Sequence, residues 1–197
     1  MSEFFLELFS EEMPSKLQTN ARKNLLLDLN KFFEESNIKI KGAVSAFSTP
    51  NRIAINFTNI SKEVIKKSQE IRGPSLDSKT EALEGFLKSY KINKSQVSLK
   101  STKKGKFYFY NTPEQKLQTY DLLKKNLPLI LEKISWNKSM KWGENQMFWG
   151  RPLKSILAVF NGKKIDFNFH HLKASNLTFI DIDLEEKVKN FNNFKSY

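Results

Sequence analysis

The apolar residues that follow Pro14 recur at spacings of three and four, and this recurrence constrains the fold more than any other feature of the chain. It predicts a helix that is capped by Ser15, ends near Ser36 and buries one stripe of side chains. The segment at residues 4–9, FFLELF, is short, apolar and rich in aromatic residues, which favours a strand. The predicted stripe of the helix consists of Leu17, Ala21, Leu25, Leu29, Phe32 and Phe33.

Short apolar or alternating segments predict further strands. Residues 38–47 and 52–60 flank a short turn and predict an antiparallel pair, and residues 63–71 are expected to extend the same sheet. Residues 103–112 predict a turn followed by an aromatic strand. The dipeptide Asn161-Gly162 lies between two apolar segments and is the strongest hairpin signal in the sequence.

Two more helices are predicted. Asp77 or Ser78 is expected to cap a helix over residues 79–92, in which Gly85 allows a close helix contact. A third helix is predicted over residues 114–134, with a kink or a break at Pro128.

These elements predict an α+β fold in which antiparallel or mixed sheets pack with about three helices. No internal repeat, low-complexity linker or shift in composition divides the chain. Residues 1–180 are therefore interpreted as one domain, and a division into lobes near residues 70–115 stays open. Residues 181–197 are interpreted as a polar tail that is the truncated continuation of the chain.

The composition excludes several classes of protein. The absence of cysteine excludes disulfides, thiol nucleophiles and thiolate metal sites. No apolar run approaches the roughly 18 residues that cross a bilayer, and the N-terminus carries Glu3 and Glu7 where a signal peptide would be basic. We therefore expect a cytoplasmic protein that makes no contact with a membrane.

The net charge of +12 favours a nucleic-acid partner. A compositional bias toward lysine and asparagine, with 29 and 18 residues, offers a second explanation that needs no function. The charge is nevertheless concentrated, because residues 136–175 carry seven basic and two acidic side chains. Arg52, Arg72 and Arg151 each lie within two residues of a proline, where a fixed backbone can hold a guanidinium group.

The sequence contains little that resembles a catalytic site. His170 and His171 are adjacent, and neighbours in a strand point to opposite faces, which argues against one metal site or one dyad. Glu7, Glu11 and Glu12 either hold Mg²⁺ or serve as acid and base, or they mark a strand end and a turn in solvent. No nucleophile, base and oxyanion site come together. The residues alone indicate a binding or assembly module, and no catalytic, cofactor-binding or metal-binding residue is predicted.

All three tryptophans lie within residues 136–149, among basic residues. Their rings either stack on unpaired bases, or they bury against the strands while only the cations face water. Cations at such a surface can contact phosphates. The cations concerned are Lys138, Lys141, Arg151 and Lys154.

Six segments stand in a fixed order along the chain: ELFSEEMP, STPNRIA, IRGPS, TEALEGF, KGKFYFY, and KSMKWG followed by FWGRP. In order and spacing they resemble the N-terminal region of the bacterial glycyl-tRNA synthetase β subunit over about residues 4–167. The residues that carry the resemblance are Glu7, Glu11, Glu12, Pro14, Arg52, Met140, Trp142, Gly143, Phe148, Arg151 and Pro152.

The chain also departs from the family pattern. Asn51 and Lys141 replace arginines, and the family's F-x-R-P block appears here with one extra residue between Phe148 and Arg151. The resemblance weakens after Phe169, where SNLTFIDID replaces a glycine-histidine-arginine segment. Members of the family are several times longer and continue into a domain resembling HD phosphohydrolases and an anticodon-binding domain. The resemblance therefore implies a fragment of a longer protein or the product of a split gene.

The resemblance implies a heterotetramer of two α and two β subunits that uses ATP to attach glycine to tRNA(Gly). The active site, with ATP and Mg²⁺ as its substrates, is expected on the α subunit, and no cofactor is expected on this chain. The family's N-terminal region also resembles the body and tail of archaeal CCA-adding enzymes. This kinship favours contact with the acceptor arm or elbow of tRNA over contact with the anticodon.

The leading hypothesis is that this chain contributes to tRNA binding and subunit assembly. Its candidate contacts with the tRNA backbone are Arg52, Lys138, Lys141, Arg151 and Lys154. An assembly scaffold that docks its tryptophan segment on the α subunit or on the rest of the β subunit is the alternative, and a free-standing RNA-binding module or an enzyme using Glu7–Glu12 also stays open. Trp142 is expected to be a packed anchor, and Trp136 and Trp149 to fill the core.

Overall fold

The computed structural model describes residues 2–102, 105–141, 147–179 and 188–190, except for the side chains of Met140 and of residues 188–190. The chain divides into two compact units. Unit 1 comprises Met1–Val64 with Leu117–Tyr197, and unit 2 comprises Ile65–Lys116.

The described residues contain three α-helices, α1 Ser15–Glu35, α2 Thr80–Tyr90 and α3 Thr119–Glu132, and a one-turn 3-10 helix at Lys94–Gln96. The strands that precede α3 are β1 Glu3–Ser10, β2 Val44–Thr49, β3 Arg52–Thr58, β4 Glu63–Lys66, β5 Glu70–Ser75, β6 Val97–Thr102, β7 Gly105–Asn111 and β8 Gln115–Gln118. After α3 follow β9 Met140–Lys141, β10 Phe148–Trp149, β11 Leu153–Phe160, β12 Lys163–Lys164, β13 Asn168–Phe169, β14 Leu172–Lys173, β15 Leu177–Phe179 and β16 Val188–Asn190.

The core of unit 1 is a five-stranded antiparallel sheet in the order β12-β11-β1-β3-β2. The predicted strand at residues 4–9 is thus confirmed as β1, at the centre of the sheet. Its side chains alternate between two faces. Phe4, Leu6 and Leu8 join the main core with residues of α1 and α3, while Phe5 joins a smaller cluster on the other face.

Helix α1 confirms the predicted stripe. Ala21, Leu25, Leu29, Phe32 and Phe33 are buried, and Leu17 is half-buried. The helix ends at its C-cap Ser36, as predicted. The predicted cap was wrong: Ser15 lies inside the first turn, and the extended Pro14 precedes it without a capping hydrogen bond.

Helix α3 begins later than predicted. Residues 115–118 form β8, which pairs with β4, so the helix starts only at Thr119. The buried hydroxyl of Thr119 fixes this start by donating a hydrogen bond of 2.6 Å to the carbonyl oxygen of Ser61. Pro128 lies inside α3.

The prediction that residues 63–71 extend the sheet of β2 and β3 was wrong. β4 pairs with β8, and β5 pairs with β7 in a different sheet. Short segments with similar hydrophobicity carry no information about which strand they will pair with, because pairing depends on contacts that are distant in sequence.

Unit 2 contains a three-stranded antiparallel sheet in the order β5-β7-β6, with α2 against one face. The close approach of helix and strand occurs at Gly73 of β5, where an added Cβ would lie 3.0 Å from the ring of Phe86. The prediction for Gly85 was wrong, because this glycine of α2 faces open space.

The Asn161-Gly162 hairpin is confirmed between β11 and β12. Both residues have positive φ angles, 51° and 76°, as a type I′ turn requires. Among the described residues, no helix is both long and apolar enough to span a membrane.

Candidate functional site

Three of the sequence motifs meet at the end of β1. The backbone NH of Ser10 donates to the carbonyl of Asn51 at 2.9 Å, and that of Met13 donates to Pro50 at 2.6 Å. The NH of Glu11 donates to the carbonyl of Pro152 at 3.0 Å. The ELFSEEMP, STPNRIA and FWGRP motifs are therefore tied to one another by backbone hydrogen bonds, although 133 residues separate the first from the last.

The tryptophans support the backbone that precedes Arg151. Trp149 is 2% exposed, and its ring centroid lies 4.8 Å from that of the half-buried Trp136. A Cβ added at Gly150 would lie 2.5 Å from the Trp136 ring, so only glycine fits between Trp149 and Arg151. The expectation that Trp136 and Trp149 fill the core is confirmed, whereas Trp142 lies outside the described residues.

An open pocket of about 390 Å³ lies at this junction. It is lined by Glu11, Glu12 and two of the predicted cations, Arg151 and Lys154. Both carboxylates and Lys154 are exposed, and Arg151 is half-buried. The pocket therefore presents both positive and negative charges. The backbone around it is held by the hydrogen bonds between the motifs and by the packing of Trp136 and Trp149.

The other two predicted lysines, Lys138 and Lys141, are exposed. Lys141 pairs across the strands with Phe148, and its Nζ lies 5.0 Å from the centroid of that ring. Phe148 is 59% exposed. The exposed aromatic ring of the FWGRP segment is therefore Phe148, while the neighbouring Trp149 is buried.

Arg52 lies in a different environment from the other predicted cations. Its Nη1 donates to Oε2 of Glu7 at 3.0 Å, and its side chain is 14% exposed. The guanidinium carbon lies 4.6 Å from the ring centroid of Phe9. Arg52 is thus engaged inside unit 1.

Glu7 is the residue that Arg52 neutralises, and its side chain is 0% exposed. Thr178 donates from Oγ1 to the second carboxylate oxygen of Glu7 at 2.6 Å and accepts from Arg52 Nη1 at 2.8 Å. Arg52 Nη2 also donates to the carbonyl of Phe179, whose ring stacks on Phe9 at 5.2 Å. This buried network fastens β15 to the central sheet.

Comparison with known proteins decides the family. A family model described as the glycyl-tRNA synthetase beta subunit matches residues 4–197. The glycine–tRNA ligase beta subunit of Rickettsia peacockii (strain Rustic) is 35% identical over 197 residues, which is 100% of this chain and 29% of the relative. The chain belongs to the glycyl-tRNA synthetase beta subunit family.

Other members of the glycyl-tRNA synthetase beta subunit family give the same result. The glycine–tRNA ligase beta subunits of Rickettsia felis and Rickettsia typhi are 37% and 38% identical over 179 residues, which is 91% of this chain and 27% of each relative. The chain spans less than a third of the length of the curated relatives it matches. The resemblance drawn from the six motifs is confirmed, and the matched region reaches residue 197, beyond the point where the motifs weaken.

The carboxylates that this family member carries near Pro14 separate into two environments. Glu7 is buried in the ion pair with Arg52, while Glu11 and Glu12 line the open pocket. Within the described ranges, no group of three or more histidine, aspartate or glutamate side chains could hold a metal ion. The acidic cluster of the sequence is therefore divided between a structural network and a surface.

Sequence reasoning missed Thr178 and Phe179 as parts of the Glu7 network. Thr178 and Phe179 lie 171 and 172 positions after Glu7, and neither is a charged residue that would attract attention. The sequence did contain one signal of the network, which was Glu7. A carboxylate inside an apolar strand is expected to be buried and therefore requires a buried partner.

Proposed function

We propose that this chain is the N-terminal part of the β subunit of a heterotetrameric glycine–tRNA ligase and supports the ATP-dependent attachment of glycine to tRNA(Gly) through tRNA binding and subunit assembly. The family match supports this proposal, because the names of the relatives describe them as glycine–tRNA ligase beta subunits. The observation that carries the tRNA-binding part is the convergence of three motifs on the pocket that contains Arg151 and Lys154.

The cations around this pocket suit a backbone contact. Arg151 presents a planar guanidinium group from a segment fixed by Trp136 and Gly150, and such a fork can bind a phosphate through two hydrogen bonds. Lys138, Lys141 and Lys154 are exposed and can follow phosphates as point charges. Contacts of this kind position an RNA without reading its sequence.

Arg52 remains a proposed contact with the tRNA backbone, but its geometry gives it another role. Its guanidinium group neutralises Glu7 and holds Thr178, so only a small part of it is exposed to a ligand. In this proposal Arg52 chiefly maintains the end of the sheet on which the pocket is built.

The proposal assigns the chemistry to the α subunit, with ATP and Mg²⁺ as its substrates, and assigns no catalytic residue to this chain. It keeps the expected kinship with the body and tail of archaeal CCA-adding enzymes, and with it a contact at the acceptor arm or elbow of the tRNA. Two α and two β subunits form the proposed assembly.

Subunit docking is the second candidate function, and exposed apolar side chains favour it. Phe148 is 59% exposed beside the pocket segment. On the edge strand β2, Val44 and Phe47 are 41% and 49% exposed. Large apolar side chains on a sheet edge are suited to contact with another chain.

Reversing the charges of Lys138 and Lys141 distinguishes the two functions. The K138E/K141E variant of the full β subunit is expressed with its α subunit, and tRNA affinity and tetramer assembly are measured separately. The tRNA-binding proposal predicts weaker binding with an intact tetramer. Dissociation of the tetramer supports docking instead, and wild-type behaviour in both assays contradicts a role of these lysines.

A further inference from the structure

Unit 2 carries a disproportionate share of the positive charge of the chain. Residues 65–116 contain 12 lysines and arginines and 5 acidic residues, a net charge of +7 out of the total of +12. Such a concentration of like charges does not stabilise the fold of a small unit, because the charges repel one another. A partner with negative charge is the simplest reason to concentrate them.

The sheet of unit 2 has two different faces. Helix α2 covers the face that carries Ile71 and Tyr110, and Tyr90 of this helix lies 6.0 Å from Tyr110. Strand alternation places Phe107 and Phe109 of the middle strand β7 on the opposite face. This second face, defined by Glu70, Arg72, Lys100, Phe107 and Phe109, is called the aromatic face of unit 2.

Cations and rings alternate on the aromatic face. The guanidinium carbon of Arg72 lies 3.5 Å from the ring centroid of Phe107, which is stacking distance. Lys100 Nζ lies 5.6 Å from the centroid of Phe109 and forms an ion pair with Glu70. Arg72 is exposed, both rings are half-buried, and the side chains of Lys100 and Glu70 are 49% and 41% exposed.

We propose that the aromatic face of unit 2 binds an unpaired segment of RNA, with bases stacked on the Arg72–Phe107 pair and on Phe109. A guanidinium plane stacked on a ring extends a flat surface on which a base can lie, and unpaired bases are recognised on sheets in this way. The positive charge of unit 2 attracts the RNA backbone and disfavours a protein partner that has few acidic residues. The inference does not rest on the proposed function, whose contacts lie on unit 1.

The Lys100–Glu70 ion pair allows the proposal to be tested by a gain of RNA affinity. Glu70 neutralises a cation on the face that is to receive a polyanion, so it opposes binding. Replacing Glu70 by glutamine frees Lys100 without removing apolar surface. The substitution E70Q is therefore expected to raise the affinity for RNA about two- to fivefold, the range of an exposed ion pair.

The test measures binding of the whole chain to a labelled single-stranded RNA and to a blunt duplex RNA of the same number of phosphates. The single strand is expected to bind more tightly. Phe107→Leu is expected to weaken its binding about 5- to 100-fold, while Phe107→Tyr retains it, because only the tyrosine keeps a ring for stacking. Arg72→Lys is expected to weaken binding although it keeps the charge.

Lys88→Ala is the matched control, because Lys88 is exposed on α2, on the other side of the unit 2 sheet. It removes one positive charge and is expected to reduce binding less than Arg72→Lys does. Circular dichroism and thermal unfolding of each variant show whether it is folded, and the gain expected for E70Q does not depend on any loss of structure.

Equal binding of single strand and duplex, or unchanged binding by F107L and E70Q, overturns the inference. Binding of the α subunit that is lost in F107L, with RNA binding unchanged, overturns it in favour of a protein partner. The K138E/K141E variant separates this result from the proposed function: a loss of tRNA binding there, with F107L unaffected, leaves the proposed function standing and removes this inference alone.

Discussion

At the scale of single residues, the Glu7–Arg52 pair determines how the end of the central sheet is built. Glu7 is fully buried and accepts hydrogen bonds from Arg52 and Thr178. A buried carboxylate that loses its cation is strongly destabilising, because the remaining charge has no compensation. Arg52→Ala is therefore expected to lower the free energy of unfolding by about 3 to 5 kcal/mol, as measured by urea denaturation.

A double-mutant cycle with Glu7→Gln provides the control for this prediction. Glutamine keeps the shape of the side chain and its ability to accept from Thr178, but it carries no charge. Arg52→Ala is expected to cost much less stability in the E7Q background than in the wild type. Equal costs in both backgrounds would show that the charge of Glu7 does not couple to Arg52.

Replacement by alanine is predicted to have opposite effects on stability at two glycines. An alanine at Gly150 would bring its Cβ to 2.5 Å from Trp136 and 2.9 Å from Leu17, which costs about 1 to 3 kcal/mol of overpacking. An alanine at Gly85 meets no atom within 4 Å and replaces a poor helix former, so it is expected to stabilise by about 0.5 to 1 kcal/mol. Thermal unfolding measures both: a Gly150→Ala variant that keeps its stability would contradict the packing at Gly150, and a destabilised Gly85→Ala variant would contradict the open space at Gly85.

At the scale of elements, the local patterns predicted the local structures well. The stripe of α1 and the type I′ turn at Asn161-Gly162 depend on neighbouring residues, and both are confirmed. The start of α3 and the pairing of β4 were predicted wrongly, because β8 forms from residues that would also suit a helix. The pairing of β8 with β4, about 50 residues earlier in the chain, makes these residues a strand and not the first turn of the helix.

The turn between β11 and β12 offers an element-scale prediction. Gly162 has a φ of 76°, a conformation that costs a residue with a Cβ about 1 to 2 kcal/mol. Gly162→Ala is therefore expected to lower the free energy of unfolding by about this amount. Asn161→Gly is the matched control, since glycine also adopts a φ of 51°, and it is expected to change stability by less than about 0.5 kcal/mol. Equal losses for both would contradict the turn type.

At the scale of the whole molecule, the sequence directed attention to cations near the motifs but did not predict how the motifs meet. Arg151 was singled out by charge and by the family resemblance, and Lys154 by charge alone. The backbone hydrogen bond from Glu11 to Pro152 brings their segment to the ELFSEEMP motif, which the hydrogen bond from Ser10 to Asn51 ties to STPNRIA. Contacts over such separations leave no periodic signal in one sequence. For the same reason, the partners of Glu7 and the difference between the two faces of the unit 2 sheet could not be predicted.

The central proposal is that cations on this chain hold the backbone of tRNA, and the salt dependence of tRNA affinity tests it most directly. The logarithm of the association constant is expected to fall linearly with the logarithm of salt concentration, by about 0.7 to 0.9 for each phosphate neutralised. Replacing Arg151 and Lys154 by alanine is expected to make this slope shallower by the contribution of the contacts they supply. An affinity that stays constant from low to physiological salt would contradict the proposal, and so would a slope that this double replacement leaves unchanged.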